Sequence, residues 1–242
     1  MEILGKYFMF LGKLFVNTED FKTYFNLTMD ECIRIGIGSI FLVSLVSFFM
    51  GAVTTIQTAY NLISPLIPNY VISLVVRDMT VLELAPTIIG VIYAGRVGSS
   101  ISSGLGTMRI TEQIDALEVM GINSTSYLVL PKITAALLTY PMLVILSGLL
   151  NMVGGYLAGT LTEVITPFEY IYGLRYEFNS YTVTFALIKS VVFAFLVSSI
   201  SSFKGYYTTG GALEVGKAST SAVTQSVIAI LLADYLLAQL LL

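Results

Sequence analysis

Chemistry in this chain has few places to reside. The stretch GGALEVGKAS, Gly210 to Ser219, falls one residue short of the phosphate-cradling pattern G-x-x-x-x-G-K-[ST]. That pattern needs its hydroxyl directly after the lysine, because the oxygen ligates magnesium. Ala218 stands there instead, and the stretch lies between two long apolar runs rather than after a buried strand, so no nucleotide is expected to bind. The serines of GSSISSG, Gly98 to Gly104, have no evident base to activate them. The chain has no histidine, which removes the usual general base and the commonest metal ligand. Cys32 is the single cysteine, so neither an internal disulfide nor a thiolate metal cluster is expected. No catalytic residue and no metal ligand is assigned. Three ionisable residues do stand inside apolar runs: Glu83, Lys189 and Asp234. An unpaired charge in a bilayer costs a few kcal/mol at least, so such residues pair or serve function.

The elements that position them are set by composition. The 242 residues are 56% hydrophobic and only 11% charged, with a mean hydropathy of +0.86. This is an all-α integral membrane protein of several transmembrane helices, each needing about 20 apolar residues. A pI of 4.9 and a net charge of -3 exclude a basic nucleic-acid-binding face. Residues 1–33 are read as an amino-terminal interfacial region and 34–242 as one transmembrane domain. In the first region Leu4, Phe8, Leu11 and Phe15 recur at helical spacing with Lys6, Lys13 and Lys22 off that stripe, as in a helix lying on the membrane or an ordinary frayed end.

Five spans are expected: Arg34–Tyr60, Leu82–Leu105, Ile133–Thr162 with a kink at Pro141, Tyr181–Phe203 and Ala218–Leu242. Pro65 and Pro68 mark a turn after the first, and the chain up to Thr80 reads as an outer, partly inserted segment. The stretch from Glu163 to Ser180 reads as an outer loop or short helix. Lys6, Lys13, Lys22, Arg34, Arg109, Lys132, Lys204 and Lys217 fall on one side of these spans, against Arg77 and Arg175 on the other. The first side is therefore expected to be cytoplasmic, with the N-terminus there and the C-terminus periplasmic.

Between the second and third spans lies AGRVGSSISSGLGTMRITEQIDALEVMGI, Ala94 to Ile122. Its first half is rich in Gly and Ser, which lets helix backbones approach closely in a bilayer. In its second half Ile110, Ile114, Leu117 and Gly121 share one helical face, and Arg109, Glu112, Gln113 and Glu118 take others. One arginine against Glu112, Asp115 and Glu118 does not suit an anionic leaflet, so this amphipathic helix is expected to meet a protein.

These residues resemble a known family. A-G-R-V-G-S followed by L-G-T-M-R-I-T-E-Q-I-D-A-L-E-V-M-G is similar to the signature of the Mla-type ABC lipid permeases, the family of MlaE and its chloroplast relatives. GYYTTGGALEVGKASTSAV with ADYLLAQLL looks like its last cytoplasmic loop and final span, and Glu83-Leu84-Ala85-Pro86 like the start of its second span. The likeness runs from roughly Gly51 to the end. It departs at Leu82, where the family often has Arg, and at Gly104, where Glu is common.

The resemblance implies a permease without its own nucleotide site, working as a homodimer clasped by two copies of a separate ATPase that holds ATP and magnesium. The helix from Thr107 to Met120 would be the coupling helix, with Thr107, Met108, Arg109, Glu112, Gln113, Asp115, Leu117 and Glu118 at the ATPase, and GGALEVGKAS a loop beside it. An MCE-domain lipid-binding protein outside and a phospholipid substrate are implied too. Glu83, Lys189 and Asp234 are expected to form a polar cluster between the second, fourth and fifth spans, either shifting as the dimer opens or locking the bundle. A lipid path at the dimer interface would present Gly51, Thr54, Gln57, Thr58, Asn61 and Leu62, unless these residues simply bond neighbouring helices. An ATP-independent secondary transporter or channel remains as the alternative, although no internal repeat is seen; an intramembrane enzyme would lack a carboxylate dyad and a histidine. The opening MEILGKYFMF has the features of neither a signal peptide nor a transit peptide, so a bacterial inner membrane is expected.

Overall fold

The computed structural model describes residues 2–14, 20–62 and 67–241, and every regular element among them is helical. In chain order these are α1 Glu2–Lys13, α2 Phe21–Cys32, α3 Gly38–Asn61, α4 Tyr70–Met79, α5 Ile89–Tyr93, α6 Ser99–Ile110, α7 Gln113–Val119, α8 Ser124–Leu161, α9 Pro167–Arg175, α10 Ser180–Tyr206 and α11 Ala212–Leu241. Three wider π-helical windings, Ile33–Ile37, Thr80–Ile88 and Ala94–Gly98, join α2 to α3, α4 to α5 and α5 to α6 without a break.

Four helices are long and apolar enough to cross a membrane: Phe21–Asn61, α8, α10 and α11. The expected second span is a passage rather than one helix. From Tyr70 to Ile110 the chain runs as alternating α and π windings, entering ten residues before Thr80, where an outer segment had been expected. Burial explains the difference, since Ile72, Ser73, Val76 and Arg77 pack inward rather than facing outside. Across residues 33 and 34 the chain runs on without a break, since α2, the first π winding and α3 form one 41-residue helix. Within that helix Glu31 pairs with Lys132 of α8, so its charge is carried inside the bundle. Pro65, expected at the turn, lies outside the described residues.

Pairing fixes the directions. α2–α3 runs parallel to α8, with Tyr24 on Ser126, Ser47 on Ser147 and Gly51 on Asn151. The Tyr70–Ile110 passage runs parallel to α10 and antiparallel to α11: Glu83 meets Lys189, Gly98 meets Ser201 and Ser99 meets Ser219. One end of the bundle therefore carries α1, α7 and the start of α8; the other carries α9 and the end of α11. Glycine makes the tightest crossing possible, since a β-carbon on Gly51 would collide with the Asn151 carbonyl and one on Gly154 with that of Phe48. Several buried hydroxyls return to their own helix, as in Ser47 to Val43 O at 2.6 Å and Thr55 to Gly51 O at 3.0 Å, so these cost little inside an apolar bundle.

Caps set several helix starts. Asn123 and Asn179 accept from Ser126 N and Tyr181 N, and Thr166 with Glu169 closes a capping box before Pro167. α8 continues through both Pro131 and Pro141. The amino-terminal stripe is offset from the one expected. Phe8 faces out, whereas Phe10 and Leu14 are buried against α10, with Phe10 edge-on to Phe203 at 5.6 Å and Tyr7 bonded to Ser199 at 2.7 Å. α1 is thus docked on protein; Phe15 and the side chain of Leu4 are outside the described residues.

Candidate functional site

Lys189 is fully buried at mid-length of α10. Its Nζ lies 2.6 Å from Asp234 Oδ1 on α11 and 3.2 Å from Glu83 Oε1, donates to Leu82 O at 2.9 Å, and sits 4.8 Å from the Phe185 ring centre. The three charges picked from the sequence therefore meet, joining three elements. Their surroundings differ: the Asp234 side chain is 16% exposed and that of Glu83 51%. Glu83 also accepts from Thr87 at 3.3 Å, one turn along the same winding. Two carboxylates on one ammonium leave the cluster with a net negative charge, open on the Glu83 side. Leu82, where the family often carries Arg, contributes its carbonyl to the same lysine.

At the α7 end the expected single helix Thr107–Met120 is two. Thr107, Met108 and Arg109 finish α6; Thr111 and Glu112 then break the run, with Glu112 in the left-handed region at φ 60°. That conformation disfavours a side chain bearing a β-carbon, so the corner is held by its surroundings. Ile114 is fully buried beneath α7, and Leu117 is half-buried. Arg109 pairs with Asp115 at 2.7 Å and lies over the Tyr206 ring. Glu118 accepts from Ser124 at 2.8 Å and Tyr206 at 3.0 Å. Asp115 and Glu118 thus brace α7 from within the chain. Glu112 and Gln113 face outward, beside Val119 at 88% and Met120 at 66% exposure.

The six residues expected along a lipid path separate. Gly51, Thr54 and Thr58 are buried within this chain, and Leu62 packs into a small cluster with Ile72, Ile165 and Tyr170. Gln57 and Asn61 alone lie on the open face. Gly51 lies against Asn151 of α8, and the Thr54 hydroxyl donates to Met50 O of its own helix at 2.7 Å. GGALEVGKAS is not a loop either. Gly210 and Gly211 make the bend, and from Ala212 onward the stretch is the opening of α11, with Lys217 bonded to Glu214 at 2.7 Å. The stretch follows α10 and a bend rather than a strand.

Sequence reasoning missed two buried cations. Arg77 is clasped by the carbonyls of Leu174 at 3.1 Å and Tyr176 at 2.7 Å and by Asp78 at 2.8 Å, tying α4 to α9. Lys132 pairs with Glu31 between α8 and α2. Lys132 had been counted only for the side on which it falls. At the α9 end, hydrogen bonds from Thr166 hold the Glu169 carboxyl below its ordinary value.

The comparisons agree with this architecture. The Permease MlaE family model matches residues 28–240, starting well before Gly51. A probable ABC transporter permease protein of Rickettsia bellii is 38% identical over 217 residues, 90% of this chain and 83% of the relative. A probable ABC transporter permease protein of Synechocystis is 32% identical over 233 residues, 96% and 88% of the two chains. The protein trigalactosyldiacylglycerol 1, chloroplastic, of Arabidopsis thaliana is 33% identical over 216 residues, covering 89% of this chain and 61% of that one. A match that spans the bundle from α2 to the last turn of α11, over helices built to cross a membrane, settles the family: the chain belongs to the MlaE permeases.

Proposed function

We propose that this permease is the membrane subunit of an ABC transporter that moves phospholipids or related lipids between the inner membrane and the outer envelope. Two copies pair, and a separate ATPase binding ATP and magnesium docks on each at the α7 end. That end is cytoplasmic in this reading, because most of the basic residues in short connections fall there. The observation that carries the proposal is the construction of α7: a short helix braced from inside by Ile114, Asp115 and Glu118, with Val119 and Met120 left in the open. A rigid element with an apolar tip is what a partner's groove would grip to transmit movement to α6 and α8.

Pairing is supported by the open flank of α11, where Gly216, Thr220, Ser221, Thr224 and Gln225 follow one another along a shallow groove. Small and hydroxyl residues allow close helix approach in a bilayer. At the α9 end, exposed Phe168 and Tyr172 offer an aromatic surface for an MCE-domain partner. The lipid's route runs between the two copies, past the open Gln57 and Asn61. The test is co-purification of the tagged chain in mild detergent, with mass spectrometry of bound proteins and lipids. An ATPase should accompany the natural chain and be lost from Glu112→Lys combined with Met120→Glu, with phospholipid retained. A chain that emerges alone even after crosslinking would overturn the transporter reading in favour of an ATP-independent one.

A further inference from the structure

Two of the three π windings bring an arginine to one place. Arg34, from the winding Ile33–Ile37, and Arg96, from Ala94–Gly98, line a cleft of about 270 Å³ together with Glu31, Ser39, Ser100 and Lys132. Lys132 is already paired with Glu31. Neither arginine has an ion-pair or hydrogen-bond partner among the described residues, and both are exposed. Three cations thus face one carboxylate, and two guanidiniums remain uncompensated. Wide windings are rare and recur at functional sites, where they turn a chosen side chain out of helical register.

The depth of the cleft says what would meet it. Along α8 the large apolar residues exposed to the surroundings are Leu138, Met142, Ile145, Leu149, Val153, Leu157 and Leu161. That stripe is about 35 Å long at 1.5 Å per residue, matching a hydrocarbon core of about 30 Å. Lys132 lies six residues before its start, about 9 Å down the axis toward the α7 end. The cleft therefore lies past the hydrocarbon edge, on the headgroup side of the leaflet at that end. Beside Arg34, Ile37 and Phe41 are 63% and 77% exposed and lead upward along α3 as a wall for acyl chains.

We propose that this cleft is a binding site for the phosphate of an anionic lipid of the α7-end leaflet, gripped by Arg34 and Arg96. Guanidinium forks match phosphate oxygens two at a time, which an ammonium does not. The inference takes from the previous section only that the chain crosses a bilayer, so loss of the ATPase interaction leaves it standing.

The full chain is purified in detergent, stripped of lipid, and titrated with phosphatidylglycerol or phosphatidylcholine, with bound lipid read by native mass spectrometry. Phosphatidylglycerol should bind in preference, and Arg34→Gln with Arg96→Gln should weaken it about tenfold, which is about 1.4 kcal/mol. Arg175→Gln at the opposite end should leave the preference intact. Glu31→Gln should strengthen it, a gain that misfolding does not produce. Displacement of phosphatidylglycerol by an equal concentration of inorganic phosphate would overturn the lipid assignment in favour of a free anion. An unchanged preference in a folded double arginine variant would overturn the site altogether.

Discussion

Changing Asp234 to Asn removes one charge from a pair whose other member has nowhere to go. Lys189 is fully buried, and its 2.6 Å contact with Asp234 is the shortest of its three. Breaking a buried pair from one side costs about 3–5 kcal/mol, because the remaining ion is left uncompensated. The Leu82 carbonyl at 2.9 Å and Glu83 at 3.2 Å stay, which places Asp234→Asn at the lower end, about 3 kcal/mol. For a chain of this size that corresponds to about 6–12 °C in Tm. Glu83→Gln should cost under about 1 kcal/mol, because half of that side chain is already in contact with its surroundings. Replacing both Lys189 with Met and Asp234 with Leu should recover most of the loss, since apolar pairs commonly replace buried ion pairs at no cost. The assay is thermal unfolding of the natural protein and these three variants in one detergent, followed by lipid transport in proteoliposomes. An Asp234→Asn protein as stable as the natural one, or a double variant worse than either single change, would refute this account of the cluster. Natural stability in the double variant without transport would assign the charges to movement.

Gly51→Leu should separate α3 from α8 by forcing a side chain into the Asn151 backbone, and is expected to abolish the monodisperse peak in size-exclusion chromatography. Glu112→Gly should raise stability by about 1 kcal/mol, read from Tm, because glycine adopts the left-handed corner without strain. Thr166→Ala should cost about 1 kcal/mol through the lost cap of α9. The same cap carries a pH signature: the Glu169 carboxyl titrates lower when folded than its ordinary 4.5. Its contribution is therefore complete above that value and fades as pH falls through the folded one. Protection against hydrogen exchange across residues 167–175, taken relative to the intrinsic rate at each pH, should fall on acidification, and do so less in Thr166→Ala.

Span existence was legible where an apolar run with a single charge began at a cap, as in α10, expected from Tyr181 and observed from Ser180 after Asn179. The convergence of Glu83, Lys189 and Asp234 was legible too, because the cost of lone charges in an apolar run demands partners. What escaped was whatever depends on a partner distant in sequence. Glu31 and Lys132 look like boundary markers until they are seen to neutralise each other. Arg77 looks like an outer-loop charge until two carbonyls at the end of α9, those of Leu174 and Tyr176, take it in. The corner at Glu112 has no glycine to announce it, and the close approach of Gly51 to the Asn151 backbone depends on a helix a hundred residues away.

The π windings carry a consequence for how such a chain tolerates change. An α-helix turns about 100° per residue, so a winding that takes in one residue more than its neighbours rotates everything beyond it by about that angle. Arg96 stands two windings' worth of chain past Tyr70, after the one at Thr80–Ile88 and inside the next. Which way it faces is decided by a count of residues upstream rather than by any residue it touches. Loss of a single residue between Thr80 and Ile88 would swing Arg96 and the serine face of α6 a quarter-turn round the bundle, leaving every side chain chemically intact. The orientation of these charges is thus written in the length of the chain.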